Sequence, residues 1–252
     1  MLTPFQSRLF HTHILLPGLM FVLAVLILEL TTLDVRLMDQ FYHWSGDSWR
    51  LRDAWITRNF IHDGGRMLVA ILVGILLLLL AGSFYVSQLK TRRRGLWYLL
   101  ASTLLAGLVI NLLKEITHID CPWDLLRYGG EFPYVRNFAT HPESFRPGAC
   151  FPAGHASAAY AWFGLHYFAR EYYPRWKSHA LIVVLLAGLV FGIGQQLRGA
   201  HFLSHDVWTL GLCWLIATLL YLLFFPGKKR SERQSGDSVQ TGLWTSSEVH
   251  IR

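Results

Sequence analysis

Charge is scarce in this chain. Only 15% of its 252 residues are Asp, Glu, Lys or Arg, where a soluble domain carries about 25%. That deficit argues against a purely aqueous protein. Three cysteines are too few for a disulfide-dense mini-scaffold. The chain shows no internal repeat, which excludes a collagen-like array, and a 53% hydrophobic content excludes a chain disordered over most of its length. Acidic residues are the scarcer sign, 16 against 23 basic, so the net charge is +7 and the isoelectric point is about 9.5. On a membrane protein such an excess marks cytoplasmic loops that touch anionic lipid heads, so no nucleic-acid partner is expected.

Long apolar runs are what the chain has instead, and its mean hydropathy is +0.34. Residues 14–30, 67–86, 97–113 and 207–225 are nearly free of charge, and residues 153–169 and 180–197 are charge-free with His155, His166, Gln195 and Gln196 as polar intruders. A span needs about 20 mostly apolar residues. The runs therefore predict an all-α fold, a six-transmembrane helix bundle with a long periplasmic loop between the third and fourth spans. Residues 1–230 form the membrane-embedded domain. Residues 231–252, rich in Ser, Gln, Gly and Thr, read as a disordered cytoplasmic tail. Thr31, Thr32, Leu33 and Asp34 offer no small-residue cleavage site after the first run, which reads as an uncleaved anchor.

Basic links set the orientation. Lys90, Arg92, Arg93 and Arg94 follow the second span, Arg170, Arg175 and Lys177 follow the fourth, and Lys228, Lys229 and Arg230 follow the sixth. These segments share one side if all six runs cross, and positive charge marks that side as cytoplasmic. Residues 34–66, 114–151 and 198–203 then form the outer loops, although the first also carries five arginines.

The polar residues that invite a chemical reading fall on the outer side. Lys114 stands at the end of the third span, Pro152, Gly154 and His155 open the fourth, and Arg198, His201, Ser204, His205 and Asp206 join the fifth to the sixth. Proline suits a first helical turn, whose free N–H groups attract anions, and Gly154 permits close approach. Lys114 and Arg198 add positive charge for phosphate oxygens. Ser204 is a candidate N-cap, and Asp206 a candidate partner for an imidazole. Two histidines beside such a pocket suit phosphoryl transfer, one attacking phosphorus and the other protonating the leaving oxygen. A metal site built from His118, His141, His155, His201 and His205 is the rival, with only the four-residue spacing of His201 and His205 in its favour. His118 and His141 otherwise read as solvated, and His166 as a headgroup-level polar residue.

The chain resembles the type 2 phosphatidic acid phosphatase superfamily in its integral-membrane branch. The first motif, Lys, six residues, Arg-Pro, reads Lys114 and Cys121-Pro122 here. The second, Pro-Ser-Gly-His, reads Pro152-Ala153-Gly154-His155. The third, Ser-Arg, five residues, His, three residues, Asp, reads Gly194-Gln195, His201 and His205-Asp206. The resemblance implies His201 as the nucleophile that forms a phosphohistidine and His155 as the general acid. Lys114 and the backbone around Gly154 would bind phosphate. It implies no metal and no cofactor. The substrate would be a lipid phosphate or diphosphate of undecaprenyl diphosphate, phosphatidylglycerol phosphate or lipid A type, and the setting a bacterial inner membrane with the site facing the periplasm. Three positions depart from the pattern. Cys121 replaces an arginine, with Arg127 a candidate substitute. Gln195 replaces another, with Arg198 three residues on. His205 holds the aspartate position and Asp206 lies one step beyond, so either is a candidate partner for His201. A lipid-to-lipid phosphotransferase with the same site and a non-catalytic lipid-binding membrane protein are the alternatives.

Cys121 and Cys150 share the long outer loop. An oxidising periplasm lets them pair, closing a loop of about 30 residues that the chain-entropy model values at roughly 3–4 kcal/mol. Otherwise they remain two free thiols.

Overall fold

A computed structural model describes residues 10–136 and 148–226. His141 and residues 231–252 lie outside the described residues. The described chain is helical, its one extended feature an isolated bridge between Leu125 and Phe132. In chain order the helices are α1 (His11–Leu30), α2 (Leu33–Trp44), α3 (Ile56–Gly82), α4 (Ser87–Lys90), α5 (Arg93–Thr117), α6 (Gly154–Tyr160), α7 (Gly164–Tyr172), α8 (Lys177–Leu197) and α9 (Leu203–Phe224). The first turn of α1 and the opening stretch of α3, Ile56–Asp63, are wound as π-helix.

Five of these segments, α1, α3, the third segment Arg93–Asp124, the α8 segment Pro174–Leu197 and α9, are long and apolar enough to cross a membrane. They expose Leu19, Met20, Leu23, Leu78, Val183, Leu189 and Leu223 outward. Leucine and valine facing out along many turns suit a hydrocarbon solvent, and a water-soluble monomer does not carry apolar surface on this scale. The chain is a multi-pass membrane protein.

The fourth apolar run behaves differently from the other five. It folds as α6, a 3₁₀ turn at Ala161–Phe163, and α7, so it is not one uninterrupted long helix. It also sits at the centre, with Ala156, Ala159, Tyr160, Phe163 and Tyr167 all buried, packed by α5, α8 and α9. Its small residues explain the placement, because Ala and Gly let neighbouring backbones come close where there is no water to drive packing. On α8 the same device appears as Gly188 and Gly192. A Cβ at Gly188 would fall 1.9 Å from the Tyr160 ring, and one at Gly192 would fall 2.8 Å from Asp206 Oδ2.

Residues 34–66 are not one loop. Within them lies most of α2, and α3 begins at Ile56 rather than Met67. The charges that broke the apolar pattern lie mostly on exposed faces. Met38 packs with Leu125, Tyr128 and Phe202. Asp34, by contrast, is buried, and its Oδ1 accepts the Ser204 N–H at 3.0 Å. Ser204 is thus not the N-cap of α9. The helix starts one residue earlier, with Phe202 at the cap position.

Candidate active site

The end of α5 and the start of α6 are strapped together. Cys121 and Cys150 form a disulfide, with Cα atoms 5.2 Å apart. Cys150 N–H donates to the Ile119 carbonyl at 2.9 Å, and Thr117 Oγ1 donates to the Phe151 carbonyl at 2.6 Å. Thr117 is the last residue of α5, and Lys114 lies one turn before it. The strap therefore carries the Lys114 ammonium toward the first residue of α6. A Cβ on Gly154 would come 3.1 Å from Lys114 Nζ, so glycine leaves the lysine its place.

The other wall comes from the entry to α9. Ala153 N–H donates to the His205 carbonyl at 3.3 Å, and Thr209 Oγ1 donates to the Ala153 carbonyl at 3.2 Å. These bonds fix His201, just before α9, against the start of α6. His201 is buried, and its Nδ1 has no hydrogen-bond partner among the described residues. Burial holds the ring neutral far below the usual imidazole range, and the nearby His205, Lys114 and His155 push the same way. A neutral imidazole is the form that attacks phosphorus.

His155 opens α6 half-buried. Its ring stacks face to face on His62, with centroids 3.9 Å apart. His62 in turn donates from Nδ1 to Asp63 Oδ1 at 2.7 Å. A cleft beside this stack is lined by Ile61, His62, Arg66, His155, Phe191 and Gln195. Sequence reasoning missed His62. It falls in a charge-rich stretch with no spacing that links it to His155, and only the crossing of α3 with α6 and α8 brings it in.

Lys114, Gly154, His155 and His201 are brought together, and Arg198 lies close enough for its charge to act on His155. The guanidinium of Arg198 is partly committed, Nε donating to the Arg52 carbonyl at 2.8 Å and one terminal nitrogen to Gln195 Oε1 at 3.2 Å. Arg127 is held elsewhere. Its Nε and a terminal nitrogen grip the two oxygens of Asp39, both at 2.7 Å, on the exposed side of α2. That fork does not fill the vacant arginine position.

Asp206 also departs from expectation. Because α9 is already continuous at Leu203, no loop shifts the register, and Asp206 points about 100° away from His205 around the helix. Its Oδ2 accepts from Gln196 Nε2 on α8 at 2.5 Å, and it makes no hydrogen bond to His201. His205, wholly buried, meets the edges of Phe151, Phe202 and His201. No group of three His, Cys, Asp or Glu side chains among the described residues is placed to hold a metal ion.

The arrangement is a cationic pocket with a neutral imidazole deep in it and a second imidazole at its rim. No curated protein and no solved structure matches the chain. A family model, the PAP2 superfamily, matches residues 95–229, more than half of the chain, and this stretch holds Lys114, His155 and His201. On that match the chain belongs to the PAP2 superfamily, whose members are phosphatases.

Proposed function

We propose that the chain is an integral-membrane lipid phosphatase that acts through a phosphohistidine at His201. The observation that carries this reading is the meeting of Lys114 Nζ with the backbone of Gly154, beside His155 and the buried neutral His201. Phosphate oxygens sit against the lysine ammonium and the backbone around Gly154. A ring nitrogen of His201 gives its lone pair to the terminal phosphorus, and the bond from that phosphorus to the leaving oxygen breaks, the lipid oxygen in a monophosphate and the bridging oxygen in a diphosphate. His155, in the imidazolium form that the bound phosphate anion stabilises against the nearby cations, delivers a proton to that oxygen and becomes neutral. In the second half, His155 takes a proton from water as the water oxygen attacks phosphorus. The phosphorus–nitrogen bond breaks, and inorganic phosphate leaves.

The substrate is a phosphate or diphosphate monoester on a lipid, with undecaprenyl diphosphate, phosphatidylglycerol phosphate and lipid A phosphates as candidates. The setting is a bacterial inner membrane with six crossings and the site on the periplasmic side. The Cys121–Cys150 disulfide supports an oxidising compartment at that face. The test is phosphate release from a panel of these lipids by the purified chain, with EDTA present. The reading expects release that survives EDTA and disappears in His201→Ala. Release that EDTA abolishes, or that persists in His201→Ala, overturns it.

A further inference from the structure

Gln195 lies on α8 and is only 2% exposed. Its side chain lines the cleft beside His155, together with His62 and Arg66. Its Oε1 accepts from Arg198, and Arg198 is itself anchored by its bond to the Arg52 carbonyl. A guanidinium carries donors only. The amide atom that meets Arg198 is therefore the oxygen, which settles the flip and turns the amide NH₂ away from Arg198. That nitrogen, Nε2, is buried and has no partner among the described residues. An amide donor left unpaired inside a protein is costly and calls for an acceptor. Of the polar residues that line the cleft with Gln195, Arg66 has donors only, His62 commits its Nδ1 to Asp63, and neither His62 nor His155 takes up the amide nitrogen, so a ligand oxygen in the cleft supplies the acceptor that Nε2 lacks.

We propose that Gln195 Nε2 donates a hydrogen bond to a substrate phosphate oxygen beside His155, and that Arg198 is the positioning residue that holds the amide in this orientation. The proposal rests on the phosphatase reading. It also replaces the direct contact of Arg198 with phosphate that the sequence suggested. Neutral donors suit this place, because the pocket already holds Lys114, Arg66 and Arg198 close to His155.

Inorganic phosphate is the probe, with the full chain in detergent. Its affinity is read from the phosphate-dependent rise in unfolding temperature, which needs no turnover. Gln195→Leu and, as a second packing variant, Gln195→Met should each weaken phosphate binding about tenfold and raise KM for a short-chain phosphatidic acid by a similar factor. Arg198→Leu should weaken binding in the wild-type background and add nothing in the Gln195→Leu background, because it acts through the amide. Unchanged binding in both Gln195 variants overturns the proposal. So does an Arg198→Leu effect that multiplies with Gln195→Leu, or a wild-type chain that phosphate does not stabilise. Failure of the phosphatase reading looks different. Phosphate binding would then respond to Gln195 while no lipid phosphate is hydrolysed.

Discussion

Two residues carry opposite pH signatures. His201 is neutral far below 6.5 because burial and neighbouring cationic groups disfavour its charged form. Acid therefore protonates it only well below the ordinary imidazole range, and if His201 is the nucleophile proposed above, kcat/KM should not fall with a pKa of 6.5 assignable to it. A pH profile of lipid phosphate hydrolysis checks this, and a loss centred near 6.5 that Lys114→Met moves upward would contradict it. Asp34 goes the other way. Burial raises its carboxyl to about 6 from 3.8, against the bond from Ser204. The folded state then binds the proton more tightly than the unfolded one, so the stability linked to it is present at low pH and lost as pH rises from about 4 through about 6. Asp34→Asn keeps an oxygen for the Ser204 N–H and removes the charge. The melting temperature of this variant should pull ahead of wild type across that window and hold a constant lead above it.

At this scale the sequence singled out Lys114, Gly154, His155 and His201, which the fold brings near one another, but not what the other candidate residues pair with. Residue spacing along one helix says which faces coincide. It says nothing about which acid, 88 residues away, will capture Arg127, or that Gln196 on α8 will claim Asp206.

Among the elements, the join between α5 and α6 and the seam along α8 are the two that place the site. The disulfide closes a 29-residue separation, worth roughly 3–4 kcal/mol in the chain-entropy model. Cys121→Ser should lower the melting temperature and migrate differently from wild type on a non-reducing gel, with the difference gone after reduction. Along the seam, Gly188→Ala forces a methyl into the Tyr160 ring. A cost of about 1–3 kcal/mol is expected for such overpacking, read as a lower melting temperature. An unchanged melting temperature would mean that α6 and α8 do not meet as closely as this.

Charge-free runs announced α1, α3, α5, α8 and α9, because lipid-facing helices are apolar all round and need no periodicity to be recognised. The amphipathic α2 and the first turns of α3 escaped notice for the same reason. Their arginines and aspartates read as loop, while Met38 sits in a small core with Leu125, Tyr128 and Phe202. The break within the fourth run was equally hidden, since Ala161, Trp162 and Phe163 carry no helix-breaking residue.

For the whole molecule, the division of labour is between a lipid-facing shell and a polar end. The shell is α1, α3, α5, α8 and α9, all exposing leucine or valine. The centre is the broken helix α6–α7, whose first turn meets the entry to α9 and the end of α5. Three segments distant in sequence thus reach one pocket, and PAP2 membership covers all three. The most direct measurement is to quench the purified chain during turnover of a lipid labelled with ³²P at its terminal phosphate, then map the acid-labile label. The account predicts label on the peptide containing His201, with none in His201→Ala and no turnover in that variant. Label on another residue, or full turnover by His201→Ala, would contradict it.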